Sequence, residues 1–221
     1  ISRAIRHTCC AFKKRIMIKK IFGHVFSIVF LPLLLPLYGT IYVIYTNPYT
    51  FPDPPSYALT VIRVALLTFV FPAFTIGLLA ALKFIKSVNV YDRQERIIPY
   101  IAAGFFYIWA YVVFLKEGFN PQITFILLGS TIAVFVDFLI NILFTKVSMH
   151  TTGAGGMVAV IMILLPYSYV GILPVFLITI VCAGCVGAAR LALKAHTDRE
   201  VYLGYMVGFI SFMVAANFFQ A

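Results

Sequence analysis

ITFILLGSTIAVFVDFLINILF, residues 123–144, is 22 residues long and carries a single formal charge, Asp137. At about 1.5 Å per residue, a helix of this length reaches about 33 Å, which matches the hydrocarbon thickness of a bilayer. A membrane-spanning strand would be about half as long and would alternate apolar with polar residues. This run does neither. In hydrocarbon the backbone must satisfy its own hydrogen bonds, and a helix does so within one segment.

Similar runs lie on both sides. One covers residues 21–45 and is interrupted by Pro32 and Pro36 in LPLLLPLYG, which predicts a kink or a partly re-entrant segment. The proline-rich NPYTFPDPPS (47–56) must be an aqueous loop, and a second run, 57–85, follows with Arg63 and Pro72 inside it. The third run starts near Pro99 and ends at Leu115, before the turn KEGFNPQ; beyond the fourth, residues 157–192 read as two spans with a break at 166–171. A last run covers 201–219. The expected fold is therefore all-α, a polytopic transmembrane helical bundle of about six to seven spans. Residues 21–221 form one domain after a basic tail, 1–20, and Met17 is an alternative natural start.

Composition agrees. Hydrophobic residues make up 62% of the 221 and charged residues 11%, and mean hydropathy is +1.01, so a soluble core has no place for this much apolar surface. The net charge of +10 does not point to nucleic acid, because the 22 Phe and 13 Tyr fall mostly within lipid-length runs rather than on a soluble basic face. Seven basic residues in the first twenty suit a tail on anionic lipid at the cytoplasmic face. No small-residue cleavage site follows residues 33–37, so the first run is read as a retained span. Cys9 and Cys10 are adjacent, and Cys182 and Cys185 lie in an apolar run, where they read as small packing residues.

Between the spans the charges gather into three stretches. The first holds Lys83, Lys86, Arg93 and Arg96; the second Lys146, Ser148 and His150; the third Arg190, Lys194, His196, Asp198 and Glu200. Two helical hairpins separate them, so all three emerge on one membrane face. Cations outnumber carboxylates, which suits an anion, and lipid phosphate is the anion a membrane supplies. Two histidines beside arginines permit phosphoryl transfer, one attacking phosphorus and the other protonating the departing oxygen. With only two histidines and few carboxylates nearby, no metal site is expected.

Arg190-x5-His196-x3-Glu200, followed by Val201, Gly204 and Gly208, resembles the third signature of the type 2 phosphatidic acid phosphatase superfamily, Ser-Arg-x5-His-x3-Asp, with Ala189 in place of Ser and Glu200 in place of Asp. Val147-Ser148-Met149-His150-Thr151 is similar to the second signature, Pro-Ser-Gly-His-Thr, and keeps its Ser, His and Thr. Lys86 and Arg93 have the separation of the first, Lys-x6-Arg-Pro, though Gln94 follows; Arg96 and Pro99 offer a shifted alternative. All three occur in the family's order and between spans.

The resemblance implies a metal-independent, cofactor-free lipid phosphatase that works through a phosphohistidine. His196 would be the nucleophile, Glu200 would hold its other ring nitrogen, and His150 would protonate the leaving group and then activate water. Arg190, Lys86, Arg93, Arg96 and Ser148 would hold the phosphate oxygens. The glycines at 153–156 read either as backbone donors to that phosphate or as helix-packing residues. The substrate class is a lipid phosphomonoester or pyrophosphate, and the small size suggests a bacterial inner (cytoplasmic) membrane protein.

Other residues read more plainly. Lys83, Lys146 and Lys194 suit cytoplasmic anchors, His7 and His24 interfacial positions, and Trp109 a packing site. Arg63 and Asp137 are expected to pair across spans two and four or to mark a polar path. That leaves two alternative functions, an anion or lipid transporter gated by this pair and a lipid-phosphate-binding protein with altered signatures.

Overall fold

The computed structural model describes residues 17, 19–47, 54–84, 96–118, 120–168 and 173–219, and those residues are mostly helical with no strand among them. Among the described residues, seven helices are long and apolar enough to cross a membrane. The first span is broken where its prolines predict. Helix α1 (19–29) gives way to a 3-10 turn, Pro32–Leu34, and α2 (Leu35–Thr46) completes the crossing. The second span joins α3 (Pro54–Ala65) to α4 (Phe71–Ala81) through a widened π turn, Leu66–Val70. Pro72 supplies no N–H and its ring crowds the carbonyl four residues back, and the wider turn relieves both.

The remaining spans are α5 (Ile97–Lys116), α6 (Pro121–Leu143), α7 (Met149–Leu164), α8 (Leu173–Ala192) and α9 (Asp198–Ala216). Asn120 caps α6 by accepting from the N–H groups of Gln122 and Ile123, and Pro121 sits at N1, where it lacks no needed donor. Span five starts earlier than hydropathy indicates. Residues 149–156 are helical rather than loop, because the small residues HTTGAGG fit a tight interhelical seam.

Helices α7 and α9 form the centre, flanked by α6, with α5 outside α6 and α8 against α7. Glycines make that seam. A Cβ on Gly208 would lie 1.8 Å from the Thr152 carbonyl oxygen, and one on Gly155 would lie 2.4 Å from that of Tyr205. The Phe212 ring fills the space beside Gly129 and Gly156. Close backbone approach of this kind holds helices together in lipid, where burying apolar surface gives little drive.

The outer surface is apolar, and several polar side chains lie inside beside the apolar core. Phe74, Val181 and Tyr202 are about two-thirds exposed, whereas Thr40, Thr68, Ser130 and Asn141 are buried. Thr40, Thr68, Ser130 and Thr131 each donate to the carbonyl four residues earlier, which satisfies their hydroxyls without water. Trp109 is half exposed and packs edge-on against Phe105.

One expectation needs correction. Arg63 does not meet Asp137; it donates to both carboxylate oxygens of Glu117 at 2.7 and 2.6 Å and lies over the Phe114 ring. Arg63 belongs to the bundle end that carries the α5–α6 turn, while Asp137 lies toward the opposite end of α6. There Asp137 is buried and accepts from Thr152 Oγ1 at 3.1 Å, linking α6 to α7. Cys182 and Cys185 are free thiols, half-buried in α8.

The main apolar cluster, built around Val43, Phe114, Ile126, Ile161, Leu164 and Phe212, fills the half of the bundle that includes the α5–α6 turn. Polar side chains collect at the other end.

Candidate active site

The third polar stretch is shaped by how α8 stops and α9 starts. Lys194 takes a left-handed φ of 52°, and the Ala195 N–H reaches the Arg190 carbonyl, so α8 closes in a tight reverse. Thr197 then opens α9 with a capping box. Its hydroxyl accepts from the Glu200 N–H, and the Glu200 carboxylate accepts from the Thr197 N–H. Together these place Arg190, His196 and Glu200 within one short corner.

His196 is buried, and its Nδ1 lies 2.7 Å from Glu200 Oε2. A carboxylate only accepts, so Nδ1 carries the proton and Nε2 keeps its lone pair. Burial holds the His196 pKa below the ordinary histidine value; the hydrogen bond to Glu200 opposes this, and the Arg96 and Arg190 charges add to it. The neutral, nucleophilic imidazole is therefore the favoured form near neutrality.

The second stretch is fixed to the third by backbone. The Ser148 N–H donates to the Glu200 carbonyl at 3.3 Å, and Gly204 leaves room for Thr151 Oγ1 and the Ser148 carbonyl. Ser148 sits at the N-cap of α7, fully buried, and its Oγ has no hydrogen-bond partner among the described residues. In the first turn of α7, the His150 Nε2 is 3.1 Å from the Ser27 carbonyl. A carbonyl only accepts, so Nε2–H donates and Nδ1 is left as the acceptor.

Arg96, at the N-cap of α5, donates through its guanidinium to the Val147 carbonyl at 3.2 Å. Arg190, Arg96 and His196 all lie close enough to His150 to act on it electrostatically. Of the expected site residues, His196, Glu200, His150, Ser148, Arg190 and Arg96 thus meet at one end of the bundle. Lys86 and Arg93 lie outside the described residues; of the first stretch, Arg96 reaches this end of the bundle through its bond to the Val147 carbonyl.

The glycines at 153–156 belong to the helix seam. Their neighbours are Leu35, Tyr205 and Phe212 side chains or backbone, and they offer no loop of free N–H groups.

Sequence reasoning missed Ser27. Its hydroxyl accepts from the Arg190 guanidinium at 2.9 Å while its carbonyl holds His150. A serine in an apolar run carries no local signal of such a role. Among the described residues, no three His, Cys, Asp or Glu side chains gather as a metal-binding set. The donors present suit an anion: two guanidinium groups and a hydroxyl, with the two imidazoles beside them. A cavity of about 40 Å³ lies below this cluster, lined by Asp137, Thr152, Met149 and Ser130, and a cleft of about 460 Å³ opens at the far end between α5, α6 and α9. Neither is built from the six clustered side chains. No family model, curated protein or solved structure matches the chain.

Proposed function

We propose that the protein is a membrane-embedded lipid phosphatase that hydrolyses a lipid phosphomonoester or pyrophosphate through a phosphohistidine. The observation that carries this reading is the buried His196–Glu200 pair, with Nε2 unprotonated, set among Arg190, Arg96, His150 and Ser148.

In this mechanism Arg190 and Arg96 bind the non-bridging oxygens and offset the charge that builds in the transition state. The Ser148 hydroxyl, buried and without a partner among the described residues, adds a neutral donor at the N-terminus of α7, where the helix dipole also favours an anion. His196 Nε2 attacks phosphorus and the P–O bond to the lipid breaks. His150 Nδ1, the nitrogen not engaged by Ser27, takes up the proton that a monoanionic phosphate brings to the site and passes it to the departing oxygen. Water, losing its proton to His150, then attacks the phosphohistidine; the P–N bond breaks and phosphate leaves. Glu200 holds the tautomer and stabilises the positive imidazole formed on the way.

A site at the end of the bundle where α1 begins would suit a lipid headgroup at the membrane surface. The bacterial inner membrane is the proposed setting. The test uses the purified full chain in detergent with phosphatidate and with a polyprenyl pyrophosphate. Phosphate release that is lost in His196→Ala, with an acid-labile phosphoryl group trapped on wild type, is the expected result. Release that survives His196→Ala would refute the mechanism, and no release from either lipid would favour a phosphate-binding or transport role.

A further inference from the structure

We infer that Ser27 of the first span is a positioning residue of this site, holding the Arg190 guanidinium through its hydroxyl and the His150 ring through its main-chain carbonyl. The inference rests on the proposed phosphatase reading for what the two partners do, but not for the contacts themselves. Ser27 lies in the last turn of α1, where the carbonyls run out of intrahelical donors. The break before Pro32 ends the helix there, so the kink creates the acceptor that His150 uses at 3.1 Å. Four residues earlier, Gly23 brings α1 close to the link between α8 and α9; a Cβ there would lie 2.6 Å from Leu193 Cγ.

Phe26 and Phe30 then pack against Ala154, Ala183 and Val186, which seats α1 over the groove between α7 and α8. The outcome is a single residue that joins one side chain from the second polar stretch to one from the third. Arg190 leaves α8 at the last turn, and the Ser27 hydroxyl helps to align its long side chain with several rotatable bonds.

The experiment compares wild type, Ser27→Ala and Ser27→Thr, each as the full chain in detergent, with melting temperature as the check on folding. With phosphatidate, Ser27→Ala is expected to raise KM about tenfold while kcat falls less, since Arg190 binds phosphate in ground and transition states alike. Ser27→Thr, which restores the hydroxyl, should recover to within about threefold. Thermal stabilisation by orthovanadate, read on the same three proteins, needs no turnover and should weaken in Ser27→Ala only. An unchanged KM in an active protein overturns the inference and leaves the phosphatase reading intact. If wild type releases no phosphate, the phosphatase reading fails and the vanadate arm decides Ser27: equal stabilisation of wild type and Ser27→Ala, or none of either, overturns it.

Discussion

Glu200→Gln tests the central pair with the least disturbance. Glutamine is accepted at the third position of a capping box, so the start of α9 should persist and the melting temperature should stay near that of wild type. What changes is charge. In a catalytic triad, an amide in place of the carboxylate can cost about 10⁴-fold by donating to the imidazole and selecting the wrong tautomer. That outcome is disfavoured here, because the same Oε2 that meets His196 Nδ1 also accepts from the Thr197 N–H. An NH2 in that place would face a backbone donor, so the amide oxygen keeps the position and His196 keeps its tautomer.

The loss is then the difference between a charge-assisted and a neutral hydrogen bond, about 1 to 2 kcal/mol, which is about 5- to 30-fold in rate. Phosphate release from phosphatidate, measured across pH, reads both parts of the argument. The acid limb of kcat/KM in wild type should lie below the ordinary histidine pKa, because His196 must be unprotonated to attack and burial holds its pKa down. Glu200 pulls that pKa up, so Glu200→Gln should move the limb to still lower pH. Activity within twofold of wild type would refute a role for the carboxylate. A loss near 10⁴-fold would refute the argument that Thr197 fixes the amide.

Three other outcomes are expected. Gly208→Ala pushes a methyl group into the backbone of α7 at Thr152 and should cost about 1 to 3 kcal/mol as overpacking, with a fall in activity as Ser148 and His150 shift; Gly184→Ala, where a Cβ meets nothing within 4 Å, should melt like wild type in the same detergent scan. Arg63→Gln breaks a partly exposed ion pair with Glu117, so the stability change should be under about 1 kcal/mol, and phosphate release should stay within twofold; a large loss of release would reopen a polar path through Arg63. With the four native cysteines replaced, cysteines at Lys20 and Arg199 should react with an impermeant thiol reagent from one side of the membrane and a cysteine at Lys116 from the other, as seven crossings require. Labelling of Lys20 and Arg199 from opposite sides would contradict the span count.

The helices were legible in the sequence because lipid imposes length and hydropathy on each span separately. Residues 123–144 need no neighbour to be read as a crossing, and Pro32 and Pro72 disturb their own helices through local sterics. The His196–Glu200 pair was also within reach of the sequence, since a turn of chain and a capping box bring the two together. The start of α7 was not. His150 and the glycines after it look like loop residues by hydropathy, and they are helical because α9 offers a seam that only small residues fit.

The other long-range partners lay beyond sequence reading for the same reason. Arg63 and Asp137 are each an isolated charge in an apolar run, and such a charge identifies a need for a partner but not which one; packing gives Glu117 to the first and Thr152 to the second. Ser27 is the extreme case, 123 residues from His150 and 163 from Arg190. By itself the sequence determined the spans, their shared face and the residue types gathered there, because those follow from local chemistry and the bilayer. Only the tertiary structure decided which side chains touch, because that depends on how closely the helix backbones approach.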